Sequence, residues 1–150
     1  MKVIEYKEKG FQKALKYILF KIEKKIYKNT NIRFTDLKNS KVEIEHVLPQ
    51  QKDDKDYTES YGELPECWKE SFKTEEEYKH CLNKMGNLVL LYKSENVRAS
   101  NKCFEEKKKE YDKSSFLSTR EICGYETWNK ESVNKRTEKL AEQISQTFKF

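Results

Sequence analysis

Four polar side chains in two separate stretches of the sequence could together carry out hydrolytic chemistry. Glu45 and His46 stand side by side at the end of a run rich in β-branched residues, while Asn87 and Asn96 flank a second apolar run at residues 88–92. An imidazole can act as a general base near neutral pH. Carboxylate and amide oxygens are hard donors that suit Mg²⁺ or Mn²⁺. These residues are therefore candidates for activating a water molecule beside a divalent cation.

Two short strands are predicted to position these side chains. Residues 41–46 alternate in the manner of a half-buried strand, and Pro49 ends the strand because proline has no amide proton to donate. Residues 88–92 form the second strand. A regular strand directs Glu45 and His46 to opposite faces, so the backbone must turn here if both are to reach one substrate.

Helical periodicity predicts most of the remaining chain. Residues 11–26 repeat apolar side chains at the spacing of an amphipathic helix. We interpret its lysine-rich opposite face as solvated, and a helix lying on a membrane surface is the alternative. Thr74 with Glu77 three residues later predicts a capped helix that runs to about Met85 and stops at Gly86.

Further helices are predicted in the second half of the chain. Ser94 can cap a helix that carries Asn96, and Asn101 is expected to start or cap a helix that reaches Tyr111. A short helix is expected within residues 114–123. Asn129 opens the last helix, on which apolar side chains recur on one face.

Composition limits the class of protein. The chain has 150 residues, which fits one domain, and its 13% aromatic content argues against disorder. The formal net charge of +5 suits contact with nucleic acid. Surface lysines of an ordinary soluble protein would account for the same charge.

The spacing of the cysteines indicates neither a zinc ribbon nor a redox motif. Cys67, Cys81, Cys103 and Cys123 include no Cys-x-x-Cys pair. The sequence also shows no signal peptide and no apolar run long enough to cross a membrane. We therefore expect four reduced thiols in a cytoplasmic protein that has no membrane partner.

The order of these motifs resembles that of the HNH, or His-Me finger, nucleases. Residues 45–50 read acid-His-aliphatic-aliphatic-Pro-Gln, which resembles the first HNH strand motif. Residues 87–91 resemble the second strand, and residues 93–96 resemble the start of the finger helix. Each motif is weak alone, whereas the three together are specific.

The closer resemblance is to the C-terminal nuclease domain of GmrSD-type restriction proteins, and it covers nearly the whole chain. Its characteristic stretches resemble residues 44–50, 85–91, 94–96 and 100–104, with Lys107, Trp128, Arg136 and Leu140 following. The resemblance implies a mostly helical α+β fold. Its centre would be a ββα-metal core of two short antiparallel strands and a helix, surrounded by additional helices.

The resemblance also implies a domain organisation. Residues 1–150 would form a single nuclease domain. An N-terminal helix and loop at residues 1–40 would pack on a core at residues 41–112, which contains an insert, and C-terminal helices would fill residues 113–150. The domain would be the C-terminal part of a larger restriction protein, with an N-terminal NTPase or sensor domain, or a separate subunit, as its partner.

The resemblance assigns the reacting residues position by position. His46 would be the general base, and Asn87 would assist catalysis by bracing the loop between the strands and orienting His46. Glu45 and Asn96 would be the protein ligands of one divalent metal ion, Mg²⁺ or Mn²⁺.

A second group of residues is assigned to DNA. Asn101 and Lys102 would hold a neighbouring phosphate at a helix N-terminus. Lys107 and Lys108 would contact the DNA backbone, although a solvated helix face is the simpler interpretation of this lysine run.

The implied function is that of a metal-dependent DNA endonuclease or nicking domain used in the restriction of foreign DNA such as phage DNA. Two alternatives remain open. The same scaffold could serve as a non-catalytic nucleic-acid-binding module, or it could cleave RNA.

Overall fold

A two-stranded antiparallel sheet brings the two predicted strands together. The structure is a computed structural model that describes residues 9–50, 61–95 and 101–149. Strand β1 (Val42–His46) pairs with strand β2 (Leu88–Tyr92), from Val42 opposite Tyr92 to His46 opposite Leu88. Both strand predictions are confirmed.

Seven helices and three 3₁₀ turns are bounded within the described residues, so the predicted mostly helical α+β fold is confirmed. The helices are α1 (Lys9–Lys25), α2 (Phe34–Lys38), α3 (Glu66–Ser71), α4 (Glu75–Leu82), α5 (Phe104–Tyr111), α6 (Leu117–Arg120) and α7 (Lys130–Thr147). The 3₁₀ turns are Tyr61–Glu63, Met85–Asn87 and Glu121–Gly124. Residues 93–95 are also helical.

Strand β2 is apolar on both faces because helices cover both sides of the sheet. Val89 and Leu91 belong to a core cluster that includes residues of α3 and α4. Leu88 and Leu90 belong to a second cluster, which includes residues of α1. Alternate residues of a strand point to opposite faces, so the continuous apolar run of β2 follows from its position between two helical layers.

Helix α1 has the predicted apolar face, and some lysines of its opposite face bind neighbouring segments of the chain. The ammonium of Lys25 donates to the Thr147 carbonyl at 3.0 Å, and that of Lys24 donates to the Ile32 carbonyl. Lys21 lies 5.7 Å from the centre of the Phe34 ring. Part of the lysine face therefore holds neighbouring segments in place and is not simply solvated. No helix in the described part of the chain combines the length and apolar character needed to cross a bilayer.

Helix α4 begins as predicted but ends early. The Thr74 hydroxyl oxygen accepts a hydrogen bond from the Glu77 amide at 3.1 Å, yet the helix ends at Leu82. The prediction that Gly86 stops this helix is wrong. Gly86 lies in the following 3₁₀ turn, where a Cβ would overlap the backbone and side chain of Thr137 on α7. The glycine is required by the close approach of α7.

Helix α7 holds this turn against the sheet. The Asn129 side chain caps the helix by accepting from the Ser132 amide at 3.0 Å, as the sequence predicts. The buried guanidinium of Arg136 donates to the carbonyls of Gly86 and Leu88, at 2.9 and 2.6 Å. These bonds fix the point at which the chain enters β2.

The expectation of four reduced thiols is wrong. Cys67 on α3 and Cys103, the residue before α5, form a disulfide, with their Cα atoms 6.0 Å apart. Cys81 and Cys123 are free. The paired cysteines are 36 residues apart in sequence, and only the packing of α3 against the start of α5 brings them together.

Candidate active site

Glu45 and His46 are the last two residues of β1, and both are nearly buried, with 7% and 6% of their surface exposed. The chain bends only after them, at residues 47 and 48. Their side chains consequently leave the strand on opposite sides. Glu45 reaches α5, whereas His46 reaches the residue that follows α4.

The imidazole of His46 is held by an asparagine that the sequence motifs do not include. Nε2 of His46 lies 3.0 Å from Oδ1 of Asn83, which is buried at the C-terminal end of α4. An amide oxygen only accepts hydrogen bonds, so the contact is a hydrogen bond in the tautomer that carries its proton on Nε2. Nδ1 then carries the lone pair, which is the state that a general base requires.

The carboxylate of Glu45 is bound on one oxygen by two side chains of α5. Its Oε2 accepts from the Lys107 ammonium at 3.1 Å and from the Tyr111 hydroxyl at 2.7 Å. Burial raises the pKa of the Glu45 carboxyl, and the neighbouring ammonium acts in the opposite direction. Burial likewise raises the pKa of Tyr111.

Lys107 occupies the interior of the domain. Its side chain is fully buried, and its ammonium donates to the carbonyls of His46 and Val47, at 2.8 and 2.9 Å, in addition to Glu45. Burial lowers the pKa of Lys107, and the Glu45 carboxylate opposes that shift. The expectation that Lys107 contacts the DNA backbone is therefore wrong, because its ammonium is buried and not exposed at the surface.

The side chain of Asn87 makes four hydrogen bonds that connect separate segments of the chain. Its side-chain oxygen accepts from the Leu48 amide at 2.8 Å and from the Trp128 indole at 3.0 Å. Its side-chain nitrogen donates to the carbonyls of Leu48 and Leu82, at 3.0 and 2.8 Å. The bonds to Leu48 hold the chain two residues beyond His46, which is the segment that Asn87 was expected to brace.

The other residues assigned to DNA lie around the start of α5. Asn101 and Lys102 are exposed and precede the helix, whose N-cap is Cys103. Asn101 therefore does not cap α5 as expected. The ammonium of Lys108 lies 3.0 Å from Glu105 and 4.9 Å from the centre of the Phe104 ring.

Asn96, the second expected metal ligand, lies outside the described residues. The residue before it, Glu95, is held at both carboxylate oxygens. One accepts from the Tyr92 amide at 2.9 Å, and the other accepts from the Ser115 amide at 3.2 Å. The start of the helix at residues 93–95 is thus tied both to β2 and to the segment that follows α5.

Of the two expected metal ligands, the structure describes Glu45 alone. Within residues 9–50, 61–95 and 101–149, no group of three or more His, Cys, Asp or Glu side chains could hold a metal ion. Mg²⁺ is commonly bound through one or two carboxylates, with water and substrate phosphate completing its shell. A carboxylate also offers more acceptor positions than the two that Lys107 and Tyr111 use on Glu45. Glu45 therefore fits the role of a single carboxylate ligand.

Two features of the site were not predicted from the sequence: the contact of Asn83 with His46 and the burial of Lys107 beside Tyr111 and Glu45. Asn83 carries no signal, because nothing in its spacing relates it to His46. Lys107 and Tyr111 did carry a signal, since residues four apart on a helix share a face. The aromatic ring of Tyr111 favours the burial of that face. The lysine run at residues 107–109 concealed this pattern.

Comparison with known proteins gives one family. No curated protein matches the chain. The family model described as the C-terminal domain of GmrSD restriction endonucleases matches residues 2–143, a span that includes both strands and every side chain described above. The chain therefore belongs to the family of GmrSD restriction endonuclease C-terminal domains, which implies a restriction-type nuclease domain.

Proposed function

We propose that this domain is a metal-dependent, HNH-type endonuclease that hydrolyses phosphodiester bonds in foreign DNA, such as phage DNA. The observation that carries the proposal is the pairing of His46 Nε2 with Asn83 Oδ1 at 3.0 Å, at the residue that follows Glu45 in β1. This arrangement supplies an oriented base and a hard anionic ligand at the end of one strand.

His46 would act through Nδ1. With Nε2–H donated to Asn83, Nδ1 can accept a proton from a water molecule as that water attacks the phosphorus atom. The bond from phosphorus to the 3′ oxygen then breaks and the departing oxygen takes up a proton from solvent, which leaves 5′-phosphate and 3′-hydroxyl ends. Asn87 would support this step indirectly, by holding the backbone at Leu48.

Glu45 and Asn96 would hold one Mg²⁺ or Mn²⁺ ion. When bound, such an ion polarises a phosphate oxygen and stabilises the charge that develops on the leaving oxygen. Glu45 supports this assignment because it directly precedes the proposed base in β1 and its carboxylate is held in one orientation by Lys107 and Tyr111.

DNA binding would rest on exposed cations and polar groups. The net charge of +5 favours a polyanionic partner. Asn101 and Lys102 are exposed at the start of α5, and Lys108 lies on the same helix. Because the family is that of a C-terminal domain, an N-terminal NTPase or sensor unit is the proposed partner. The cytoplasm, where foreign DNA arrives, is the compartment that this role requires.

A nicking assay on supercoiled plasmid tests the proposal. Wild-type protein should relax the plasmid in Mg²⁺ or Mn²⁺ and leave it intact in EDTA. His46→Ala should lower the rate by about 10²- to 10⁴-fold, the usual contribution of a general base. The chain has two histidines, so His80→Ala, at an exposed position of α4, is the matched control and should cleave normally.

Cleavage by His46→Ala at the wild-type rate would contradict the proposed base. DNA binding without cleavage in any divalent metal would instead favour a binding module. Faster cleavage of RNA than of DNA, with the same loss in His46→Ala, would make the domain a ribonuclease.

A further inference from the structure

The buried ammonium of Lys107 joins α5 to three consecutive residues at the end of β1. It donates to the Glu45 carboxylate, the His46 carbonyl and the Val47 carbonyl, at 3.1, 2.8 and 2.9 Å. A lysine ammonium has three protons to donate, so these contacts use all of them. No other side chain in the described residues bonds to all three of these positions.

The two carbonyls lie where the strand pairing stops. The last pair of the ladder is His46 opposite Leu88, and beyond it the Val47 amide donates to the Asn87 carbonyl at 2.9 Å. A buried carbonyl without a partner is costly. The ammonium therefore provides the hydrogen bonds that allow the chain to leave the sheet at this point.

Stability alone is a weak reason to bury this lysine. Removing an ammonium and a carboxylate from water costs several kcal/mol per ion, and a well-packed apolar pair of similar volume is often as stable. Lys107 is fully buried, with its ammonium 5.8 Å from the centre of the Trp68 ring. Its distinctive contribution is geometric, because it aligns the carboxylate and the backbone on either side of His46 at once.

We propose that Lys107, supported by Tyr111, is a positioning residue of the active site. Lys107 sets the backbone that carries His46, and the two side chains together set the orientation of the Glu45 carboxylate. Its catalytic consequence rests on the nuclease activity proposed above, whereas its positioning of His46 can be measured without that activity.

The test uses Lys107→Met, which keeps an unbranched side chain that is one atom shorter and removes its charge, together with Tyr111→Phe, which removes only a hydroxyl. Lys113→Met is the matched control, because Lys113 is exposed just beyond α5. The first readout is the NMR signals of the two histidine rings. Lys107→Met should shift the ring signals of His46 and leave those of His80 in place, while Lys113→Met should shift neither.

The second readout is the kinetics of plasmid cleavage. Lys107→Met should lower kcat by about 10- to 100-fold, the usual effect of removing a group that orients a ligand or base, with KM for DNA unchanged. An increase in KM at unchanged kcat would mean that Lys107 serves DNA binding and would overturn the proposal. Unchanged His46 signals together with wild-type kcat would also overturn it.

Two further outcomes are decided by the same experiment. If Lys107→Met does not fold, Tyr111→Phe carries the test through the orientation of Glu45, and it should lower kcat by about tenfold; wild-type kcat in that variant would overturn the proposal. If wild-type protein cleaves no DNA, the proposed function fails. The histidine signals of Lys107→Met then still decide whether Lys107 positions His46.

Discussion

Nε2 of His46 lies 3.0 Å from Oδ1 of Asn83, across 37 residues of sequence. The contact links the end of β1 to the C-terminal end of α4, and both side chains are nearly buried. The contact favours the imidazole tautomer that carries its proton on Nε2, in which Nδ1 is the nitrogen that can accept a proton from water. The chemistry of His46 consequently depends on a residue outside the motif that contains it.

Substitution of Asn83 should impair catalysis more than folding. Asn83→Leu removes the acceptor for Nε2–H, so the ring loses its fixed tautomer, and we expect kcat for plasmid nicking to fall by about 10- to 100-fold. Asn83→Asp retains an acceptor at the same place and should keep more activity. Asn39→Ala, an exposed asparagine at the end of α2, is the control. Wild-type nicking by Asn83→Leu would contradict this prediction.

Substitution of Asn87 should impair folding first. Asn87→Ala leaves the Leu48 amide, the Trp128 indole and two carbonyls without their partners in the interior. Buried groups that lose a hydrogen-bond partner cost about 1–3 kcal/mol each, so for four groups we expect a loss of at least about 4 kcal/mol in the free energy of unfolding. Urea denaturation measures this loss. A midpoint equal to that of the wild type would show that water or rearranged side chains replace these bonds.

Reduction of the Cys67–Cys103 disulfide should destabilise the domain. The bridge closes a loop with a sequence separation of 36 residues, for which the chain-entropy estimate is about 3–4 kcal/mol. The thermal midpoint should therefore be lower in the presence of a dithiol reductant. The variant Cys67→Ser with Cys103→Ser should show the lower midpoint with or without reductant. Equal midpoints for the oxidised and reduced wild type would contradict the prediction.

Alkaline pH should weaken the fold through Cys81. Burial raises the pKa of this thiol from 9.0 to about 11. The unfolded chain therefore loses its proton first as the pH rises, so the contribution of Cys81 to stability is complete below pH 9 and disappears as the pH approaches 11. Urea titrations at several pH values should show a steeper loss for wild type than for Cys81→Ala over this range. Parallel curves for the two proteins would contradict this.

Local patterns predicted the elements that position the site. The strand at Val42–His46, the strand at Leu88–Tyr92, the cap at Thr74 and the start of the last helix at Asn129 are all found in the structure. Such features depend on the burial of one face or on a bond between residues three apart. That information lies in a short window of sequence, so it can be read without knowledge of the fold.

The sequence by itself determined which residues are candidates for chemistry, and the match over residues 2–143 places them in a nuclease family. Only the tertiary structure decided their surroundings. Lys107 reaches Glu45 across 62 residues, and Cys67 reaches Cys103 across 36. Contacts of this kind follow from how α3, α4 and α5 pack against the end of β1. The periodicity of a helix predicts which of its faces is buried, but not which side chain of another element will contact that face.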